Sequence, residues 1–276
     1  MADPRLAGGR RAVMAACGGR TLHFVAHGDG VPVVFVHGFP HDHTLWAAQL
    51  GGVADVARAI ALDLRGFGAS PYLAPATMDG YADDVVCVLD AAGVERAVVA
   101  GLSMGGYVAF ALWRRHRARV RGLVLADTRA GADTEAGRAA RRELIALARE
   151  RGADAVAGRM MEGMVGRTTR TRAPELVSHL RAMLARQPVD GIVGALEAML
   201  ARPDSTPDLP TIDVPTLVVV GDEDVLTPPR EARLLHEGIR GSRLEPLAGA
   251  GHASAIERPA AFNHVLRDFL AGLPAD

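Results

Sequence analysis

Five short runs of branched apolar residues recur along the chain, and this recurrence most constrains its fold. They read VVFVH (33–37), AIALD (59–63), AVVAG (97–101), LVLAD (123–127) and LVVVG (217–221). Each run is apolar on both faces of a strand, which is typical of strands buried between helix layers in a parallel sheet. The intervening segments are long enough for crossover helices, and 78–93 shows helical spacing. The alternation predicts an α/β fold.

Three further strand patterns extend this sheet, two before the five runs in sequence and one after them. We predict strands near 11–16, 21–27, 32–36, 57–62, 96–100, 121–126, 215–220 and 242–247. The first two are separated by Cys17-Gly18-Gly19-Arg20, a glycine-rich turn that favours a hairpin. The resulting prediction is an eight-stranded, mostly parallel sheet.

The alternation stops after Asp127, where residues 134–202 contain amphipathic helical patterns and no strand-like run. The proline-rich segment 203–215 then leads back to a strand. We therefore predict a core domain made of residues 1–130 and 208–276, with a helical cap inserted at 131–207.

Composition excludes several classes of protein. The formal net charge of the 276 residues is −1, and the basic residues are scattered among acids, so no basic block indicates a nucleic acid or membrane partner. No apolar run approaches the ~20 residues of a membrane span. Residues 1–19 lack the apolar region of a secretion signal. Two cysteines are too few for a disulfide framework, so Cys87 is expected to be a buried apolar residue. These observations favour a cytoplasmic protein.

The stretch GLSMGG (101–106) lies between a buried strand and a helical pattern. A glycine-flanked serine in this context is typical of a nucleophile elbow, in which the turn projects the hydroxyl above the sheet. Gly101 and Gly105 are then needed because strand and helix approach closely. We predict Ser103 as the nucleophile and the Met104 N–H as an oxyanion donor.

A serine hydroxyl is a weak nucleophile that needs a base, which in turn is oriented by an acid. Of the ten histidines, His252 fits best, because it follows the last strand pattern in a glycine-rich loop. Asp224, 28 residues earlier in the loop after LVVVG, is the predicted acid. Asp127 at the end of LVLAD is the alternative, whereas Asp222 is expected to brace the loop through backbone amides.

The loop after the third strand reads HGFPHDH (37–43) and is expected to supply the second oxyanion donor. Gly38 lets the backbone turn beside the substrate, and the Phe39 N–H is the predicted donor. The HDH triplet superficially resembles a metal cluster, but three near-adjacent residues do not make a site. We expect Asp42 and His43 to organise the loop, and we expect no metal.

Taken together, HGFP, DLRGFGAS (63–70), GLSMGG, GDEDVLTP (221–228) and GAGHAS resemble the motifs of the α/β-hydrolase superfamily, in order and over nearly the whole chain. The resemblance implies an α/β-hydrolase fold with a helical cap and a Ser-His-Asp triad whose acid falls on Asp224. It also implies that Asp63 and Arg65 brace the sheet. Within the superfamily, GLSMGGYVA and the C-terminal segment are similar to enol-lactonases and small esterases.

This resemblance implies a cofactor-free serine hydrolase of a small, moderately apolar carboxylic ester or lactone. Cofactor-free haloperoxidases or perhydrolases and carbon–carbon bond hydrolases share the motifs and remain alternatives, as does a non-catalytic small-molecule receptor. Serine rather than aspartate at 103 argues against haloalkane dehalogenases and epoxide hydrolases. The sequence leaves the oligomeric state open, with a homodimer as one option.

Substrate choice is expected to lie in the cap, which holds five of the nine methionines. Flexible thioether side chains adapt to apolar ligands. We select Met160 and Met164 as substrate-binding residues. Arg159 and Arg167 lie in the same region, where they are candidates to meet a substrate carboxylate.

Overall fold

The computed structural model describes residues 11–274, apart from the side chain of Cys17. Residues 1–10, on which the expected lack of a secretion signal partly rests, lie outside this range. Eight strands form one sheet in the order β1-β2-β4-β3-β5-β6-β7-β8. Their bounds are β1 Arg11–Cys17, β2 Arg20–His27, β3 Val31–Val36, β4 Ala57–Leu62, β5 Ala97–Leu102, β6 Val120–Ala126, β7 Thr216–Gly221 and β8 Arg243–Leu247.

The sheet is mostly parallel. β1 pairs antiparallel with β2, and β2 pairs antiparallel with β4, whereas every other neighbouring pair is parallel. The predicted hairpin is present, because Cys17 pairs with Arg20 across a turn in which Gly18 and Gly19 have positive φ. Such φ angles are those of the tight hairpin turns that favour glycine. The predicted fold class is confirmed, and each predicted strand lies within two residues of an observed one.

Helices cover both faces of this sheet. They are α1 Ala47–Gly52, α2 Met78–Ala91, α3 Met104–His116, α4 Glu135–Met164, α5 Arg167–Arg172, α6 Pro174–Ala185, α7 Val189–Ala201, α8 Pro229–Gly238, α9 Ser254–Glu257 and α10 Pro259–Ala271. Side chains of the central strands β3, β5, β6 and β7 are buried on both faces, within two apolar clusters. This two-sided burial is why these strands are apolar without alternation.

Helices α4 to α7 form a helical insertion (135–201) between β6 and β7. Gly152 interrupts α4 with φ 77° and ψ −176°, so the helix has two arms. The sequence shows the same division, since its helical patterns are separated at this glycine. The insertion lies within the segment that we predict as a cap, and the division of the chain into core and cap domains stays a prediction.

Cys87 lies on α2 and is buried, as expected, but it is disulfide-bonded. The expectation of an ordinary apolar cysteine is therefore wrong. None of the helices within 11–274 combines the length and apolar character needed to cross a membrane. The cytoplasmic location stays a prediction.

Candidate active site

Ser103 occupies the sharp turn between β5 and α3. Its backbone has φ 53° and ψ −112°, a conformation that residues with a side chain rarely adopt. The turn is held by hydrogen bonds from Ser103 N to Ala126 O (2.9 Å) and from Gly106 N to Ser103 O (2.9 Å). Because the surrounding structure fixes this strained residue, its hydroxyl is presented at the carboxyl edge of the sheet.

Glycines at 101 and 105 let β3, β5 and α3 approach closely at this turn. A Cβ on Gly101 would lie 2.3 Å from Gly105 O, and one on Gly105 would lie 2.2 Å from Val36 O. Both obstacles are backbone atoms, which cannot move aside as a flexible side chain can. The two glycines are therefore required by packing, as the elbow interpretation expects.

His252 lies between Ser103 and Asp224 and is hydrogen-bonded to both. Its Nε2 is 2.8 Å from Ser103 Oγ, and its Nδ1 is 2.9 Å from Asp224 Oδ2. The imidazole is buried, on the loop between β8 and α9. The three predicted residues, separated by up to 149 positions in sequence, thus form one hydrogen-bonded series.

The Asp224 carboxylate is fixed by its own loop. Its Oδ1 accepts N–H bonds from Leu226 (2.8 Å) and Thr227 (3.0 Å), and its Oδ2 accepts the Thr227 hydroxyl (2.7 Å). Thr227 Oγ1 also lies 3.2 Å from His252 Nδ1. Thr227 was not predicted. A threonine three residues after an acid is a known local hydrogen-bonding pattern, but its contact with the histidine depends on the fold.

Electrostatics favour an ionised acid beside a basic imidazole. Burial alone would raise the pKa of Asp224, but His252 and the hydrogen bonds from Thr227 outweigh it and lower this pKa below its usual range. Burial likewise disfavours a charged His252, yet the Asp224 carboxylate raises its pKa above the ordinary value of 6.5. The imidazole is therefore a stronger base than a free histidine.

The two predicted oxyanion donors belong to residues beside Ser103, since Met104 follows it in sequence and Phe39 lines the same cavity as Ser103. Met104 is the first residue of α3, so its N–H has no partner inside the helix. Phe39 follows β3 in a turn closed by a hydrogen bond from His41 N to Gly38 O (3.0 Å). Gly38 packs against the elbow, since a Cβ there would lie 3.3 Å from Ser103 Cβ. The roles predicted for these three residues stay predictions.

Comparison with known proteins identifies the family of this chain. Residues 31–259 match the α/β-hydrolase fold family. The chain belongs to the α/β-hydrolase family. The 3-oxoadipate enol-lactonase 1 of Acinetobacter baylyi is 29% identical over 266 residues, covering 92% of this chain and 95% of the relative. A pimeloyl-[acyl-carrier protein] methyl ester esterase of Neisseria meningitidis is 29% identical over 264 residues, covering 88% and 95%.

Among solved structures, a thermophilic esterase from Thermogutta terrifontis is similar to this α/β-hydrolase. It has a TM-score of 0.90 and 36% sequence identity, and the match covers 97% of this chain and all of the esterase. The predicted resemblance to enol-lactonases and esterases is thus confirmed at the level of family and fold.

The hydrolase has a cavity of about 190 Å³ at Ser103 and His252, between the sheet edge and the helical insertion. Met160, a predicted substrate-binding residue, lines it together with Phe39, a predicted oxyanion donor. Met164 is instead fully buried in an apolar cluster, and it is not among the described residues that line the cavity. Its position near the end of α4 turns the side chain into the packed interior. The cavity wall instead includes Met199 on α7.

Arginines also line this cavity, but they are not the two that the sequence suggested. Arg159 pairs with Glu162 on the exposed side of α4, and the Arg167 side chain is 91% exposed. The cavity is lined instead by Arg129, which follows β6, and by Arg141 on α4. Sequence reasoning missed both, because thirty-one scattered arginines give no signal of which ones turn inward.

Asp127, the alternative acid, lies close to the hydrogen-bonded residues Ser103, His252 and Asp224 but is not hydrogen-bonded to His252. Its Oδ1 accepts Gly221 N (2.9 Å), and its Oδ2 accepts both the hydroxyl and the N–H of Ser254. Burial, followed by repulsion from Asp224, raises the pKa of Asp127 well above its usual range. Asp127 therefore ties the end of β7 to the start of α9.

Two further acids hold the loops around His252. Glu257 accepts N–H bonds from Gly251 (2.9 Å) and Ala253 (3.2 Å) on one oxygen and from Gly166 (2.9 Å) on the other. It thereby joins the histidine loop to the helical insertion, a role that the sequence did not reveal. Asp222 accepts Gly249 N (2.7 Å), which agrees with the predicted bracing role.

Within the HDH triplet, Asp42 and His43 make hydrogen bonds that organise the loop, as predicted. Asp42 accepts bonds from Thr44 and from Arg186 and Gln187 of the insertion. His43 Nδ1 and His23 Nδ1 each lie 2.8 Å from an oxygen of Asp63. Among the described residues, these last three are the group of side chains close enough together to ligate a metal.

Proposed function

We propose that this α/β-hydrolase is a serine hydrolase that cleaves a small carboxylic ester or lactone through an acyl-enzyme. One observation carries the proposal: a strained serine is hydrogen-bonded to a histidine, and the histidine to a buried carboxylate, at the wall of a cavity. This is the arrangement by which a serine hydroxyl becomes a nucleophile.

In the first step, Ser103 Oγ attacks the substrate carbonyl carbon while His252 Nε2 accepts the hydroxyl proton. Asp224 holds the Nδ1 proton and stabilises the imidazolium. The Phe39 and Met104 N–H groups bind the oxyanion, and each such donor contributes about 2.7–4 kcal/mol to transition-state stabilisation. The carbonyl then re-forms, the bond to the alkoxide breaks, and His252 donates its proton to the leaving oxygen.

In the second step, water attacks the acyl-enzyme. His252 accepts a proton from this water, a second tetrahedral oxyanion forms in the same place, and Ser103 leaves as its oxygen is reprotonated. The product is a carboxylic acid. With a lactone, the leaving alcohol remains attached to the acyl group, so one hydroxy acid is released.

The substrate is proposed to be small and moderately apolar. The cavity holds about 190 Å³, and Leu144, Met160 and Leu226 give it apolar walls. The relatives support the same class, since they include an enol-lactonase and a methyl ester esterase.

A fluorophosphonate probe tests the nucleophile. Mass spectrometry of the labelled chain should map one adduct to Ser103, and Ser103→Ala should lose both the adduct and ester turnover. Ser254→Ala is the matched control, because this serine is buried nearby but bonds to Asp127. An adduct elsewhere, or unchanged turnover by Ser103→Ala, would refute the proposal.

A second experiment defines the substrate. We expect turnover of 4-nitrophenyl esters to be highest for short and medium acyl chains, and a lactone panel run beside them separates esterase from lactonase activity. Turnover near background on both panels, together with ligand-induced stabilisation, would instead favour the small-molecule receptor. Light scattering on the same sample measures the oligomeric state, including the homodimer that the sequence leaves open.

A further inference from the structure

Three arginines surround one carboxylate beside the cavity. Asp133 accepts hydrogen bonds from Arg129 Nη2 (2.6 Å), from Arg202 Nη2 (2.9 Å) and from both Nε and Nη2 of Arg141. The Asp133 side chain is only 1% exposed. Three positive charges thus meet one negative charge, which leaves a formal excess of two positive charges in a partly buried place.

Each of the three arginines has further contacts or unpartnered donors besides its bonds to Asp133. Arg202 also donates to Gly131 O (2.8 Å), and its guanidinium lies 4.1 Å from the centre of the Tyr107 ring. The Nε atoms of Arg129 and Arg202 are both buried and have no hydrogen-bond partner among the described residues. Arg141 Nη1 contacts the Met199 thioether at 3.1 Å, which is a weak acceptor. Arg129 and Arg141 therefore retain donors that Asp133 does not saturate.

These two arginines lie at the cavity wall together with the reacting groups. The wall includes Arg129 and Arg141 as well as Ser103 and His252. The cavity also adjoins a larger outer groove of about 410 Å³, and the two share Ala140, Leu144, Met160 and Leu226. The site therefore has a cationic wall on one side and, on another, apolar side chains shared with a groove that Glu143, Arg159 and Glu162 also line.

We propose that Arg129 and Arg141 form an anion subsite, and that the substrate is an ester or lactone which carries a carboxylate a few bonds from the reacting carbonyl. The subsite rests on the proposed function. A guanidinium presents a planar fork of donors that matches a carboxylate. Inside a small cavity, an excess of positive charge stabilises an anion more strongly than it would in water. Asp133 orients the two guanidinium groups and neutralises only part of the positive charge.

The test compares 4-nitrophenyl hydrogen adipate with 4-nitrophenyl hexanoate, which have acyl chains of equal length and differ in the terminal carboxylate. We expect the wild type to prefer the adipate in kcat/KM, mainly through KM. Arg141→Met should lower this preference roughly 10- to 100-fold, the loss typical of one hydrogen bond to a charged group. Because the preference is the ratio of the two kcat/KM values, an effect of the variant that both esters share cancels.

Arg142→Met is the matched control, because Arg142 neighbours Arg141 on α4 but is 54% exposed and pairs with Glu135. It should keep the wild-type preference. Arg129→Met provides a second variant in case Arg141→Met does not fold, as judged by its thermal unfolding midpoint. A measurement on the wild type needs no variant: free adipate should inhibit competitively, and hexanediol should not.

The outcomes separate the two proposals. If the hexanoate is hydrolysed but the adipate is not preferred, or if Arg141→Met and Arg142→Met give equal preferences, the anion subsite is wrong while the serine hydrolase stands. If neither ester is hydrolysed and Ser103 is not labelled, the proposed function is wrong. Calorimetric binding of adipate that Arg141→Met weakens and Arg142→Met does not would still support the anion subsite.

Discussion

The two buried aspartates near His252 provide the sharpest test of the site. In Asp224→Asn, the side-chain oxygen is expected to keep the Oδ1 position, where it accepts the Leu226 and Thr227 N–H groups. The new NH₂ group then takes the Oδ2 position, 2.9 Å from His252 Nδ1. Because this NH₂ donates, Nδ1 must accept, and the ring proton moves to Nε2. The imidazole can no longer accept the proton of Ser103.

This tautomer change should be severe. A comparable substitution in another Ser-His-Asp triad lowers kcat about 10⁴-fold, which corresponds to roughly 5 kcal/mol of transition-state stabilisation at 1.36 kcal/mol per tenfold. We expect a similar loss for Asp224→Asn, with the fold intact because the replacement is isosteric.

Asp127→Asn should behave differently. Its raised pKa favours the neutral carboxylic acid, which an amide closely resembles. The amide oxygen can still accept Gly221 N (2.9 Å), and the Ser254 hydroxyl can rotate to accept from the new NH₂. Only the longer contact with Ser254 N (3.3 Å) loses its acceptor. We expect a loss of about 1–2 kcal/mol in the free energy of unfolding and less than about tenfold in kcat.

The assay is the steady-state turnover of one 4-nitrophenyl ester by both variants, with circular dichroism and urea unfolding to confirm their folds. A larger loss of kcat in Asp127→Asn than in Asp224→Asn would refute the assignment of Asp224 and move the acid to the end of β6. Equal small losses would show that neither carboxylate orients His252.

Three further predictions follow from local contacts. The pKa of His252 is raised, and the proposed base is the neutral imidazole, so kcat/KM should rise with pH through a midpoint above 6.5. A midpoint below 6.5 would contradict the proposed Ser103–His252–Asp224 arrangement. Gly105→Ala places a Cβ 2.2 Å from Val36 O and should lower the free energy of unfolding in urea by about 3 kcal/mol or more. Gly158→Ala is the control, because a Cβ there meets open space and should slightly stabilise α4. Equal effects of the two variants would be inconsistent with the close approach at Gly105. In Glu257→Gln, the new NH₂ group replaces one carboxylate oxygen, so the backbone N–H donors that bonded to that oxygen lose their acceptor. The variant should lose about 1–3 kcal/mol in the free energy of unfolding and should also have a lower kcat. Wild-type values for both quantities would rule out the bracing role of Glu257.

Local sequence was enough to predict the strands and the elbow. Central strands must bury both faces, so β3, β5, β6 and β7 show as unbroken apolar runs. The elbow needs glycines on both sides of its serine because strand and helix approach closely there. This requirement can be recognised within the five residues 101–105. Asp224 and His252 can be selected as candidates from the sequence because loops after parallel strands lie at one edge of the sheet, and the structure places Asp224 Oδ2 2.9 Å from His252 Nδ1.

The residues that line the cavity could not be predicted in this way, because they depend on which side chains the folded chain turns inward. Met160 and Met164 are one helical turn apart and alike in sequence, yet one lines the cavity and the other is packed in the core. Likewise, Arg129 lines the cavity, whereas Arg159 is exposed and pairs with Glu162. Burial of a charged or flexible side chain is decided by contacts with distant segments, which the surrounding sequence does not encode.

The sequence by itself determined the fold class, the order of the strands along the chain and the place of the elbow serine, because these follow from periodicity and backbone requirements that act locally. Only the tertiary structure decided that Asp133 gathers Arg129 and Arg141 at the cavity and that Glu257 ties the histidine loop to the insertion. These contacts join residues from different elements, and their energies depend on burial and on distance, which exist only once the chain has folded.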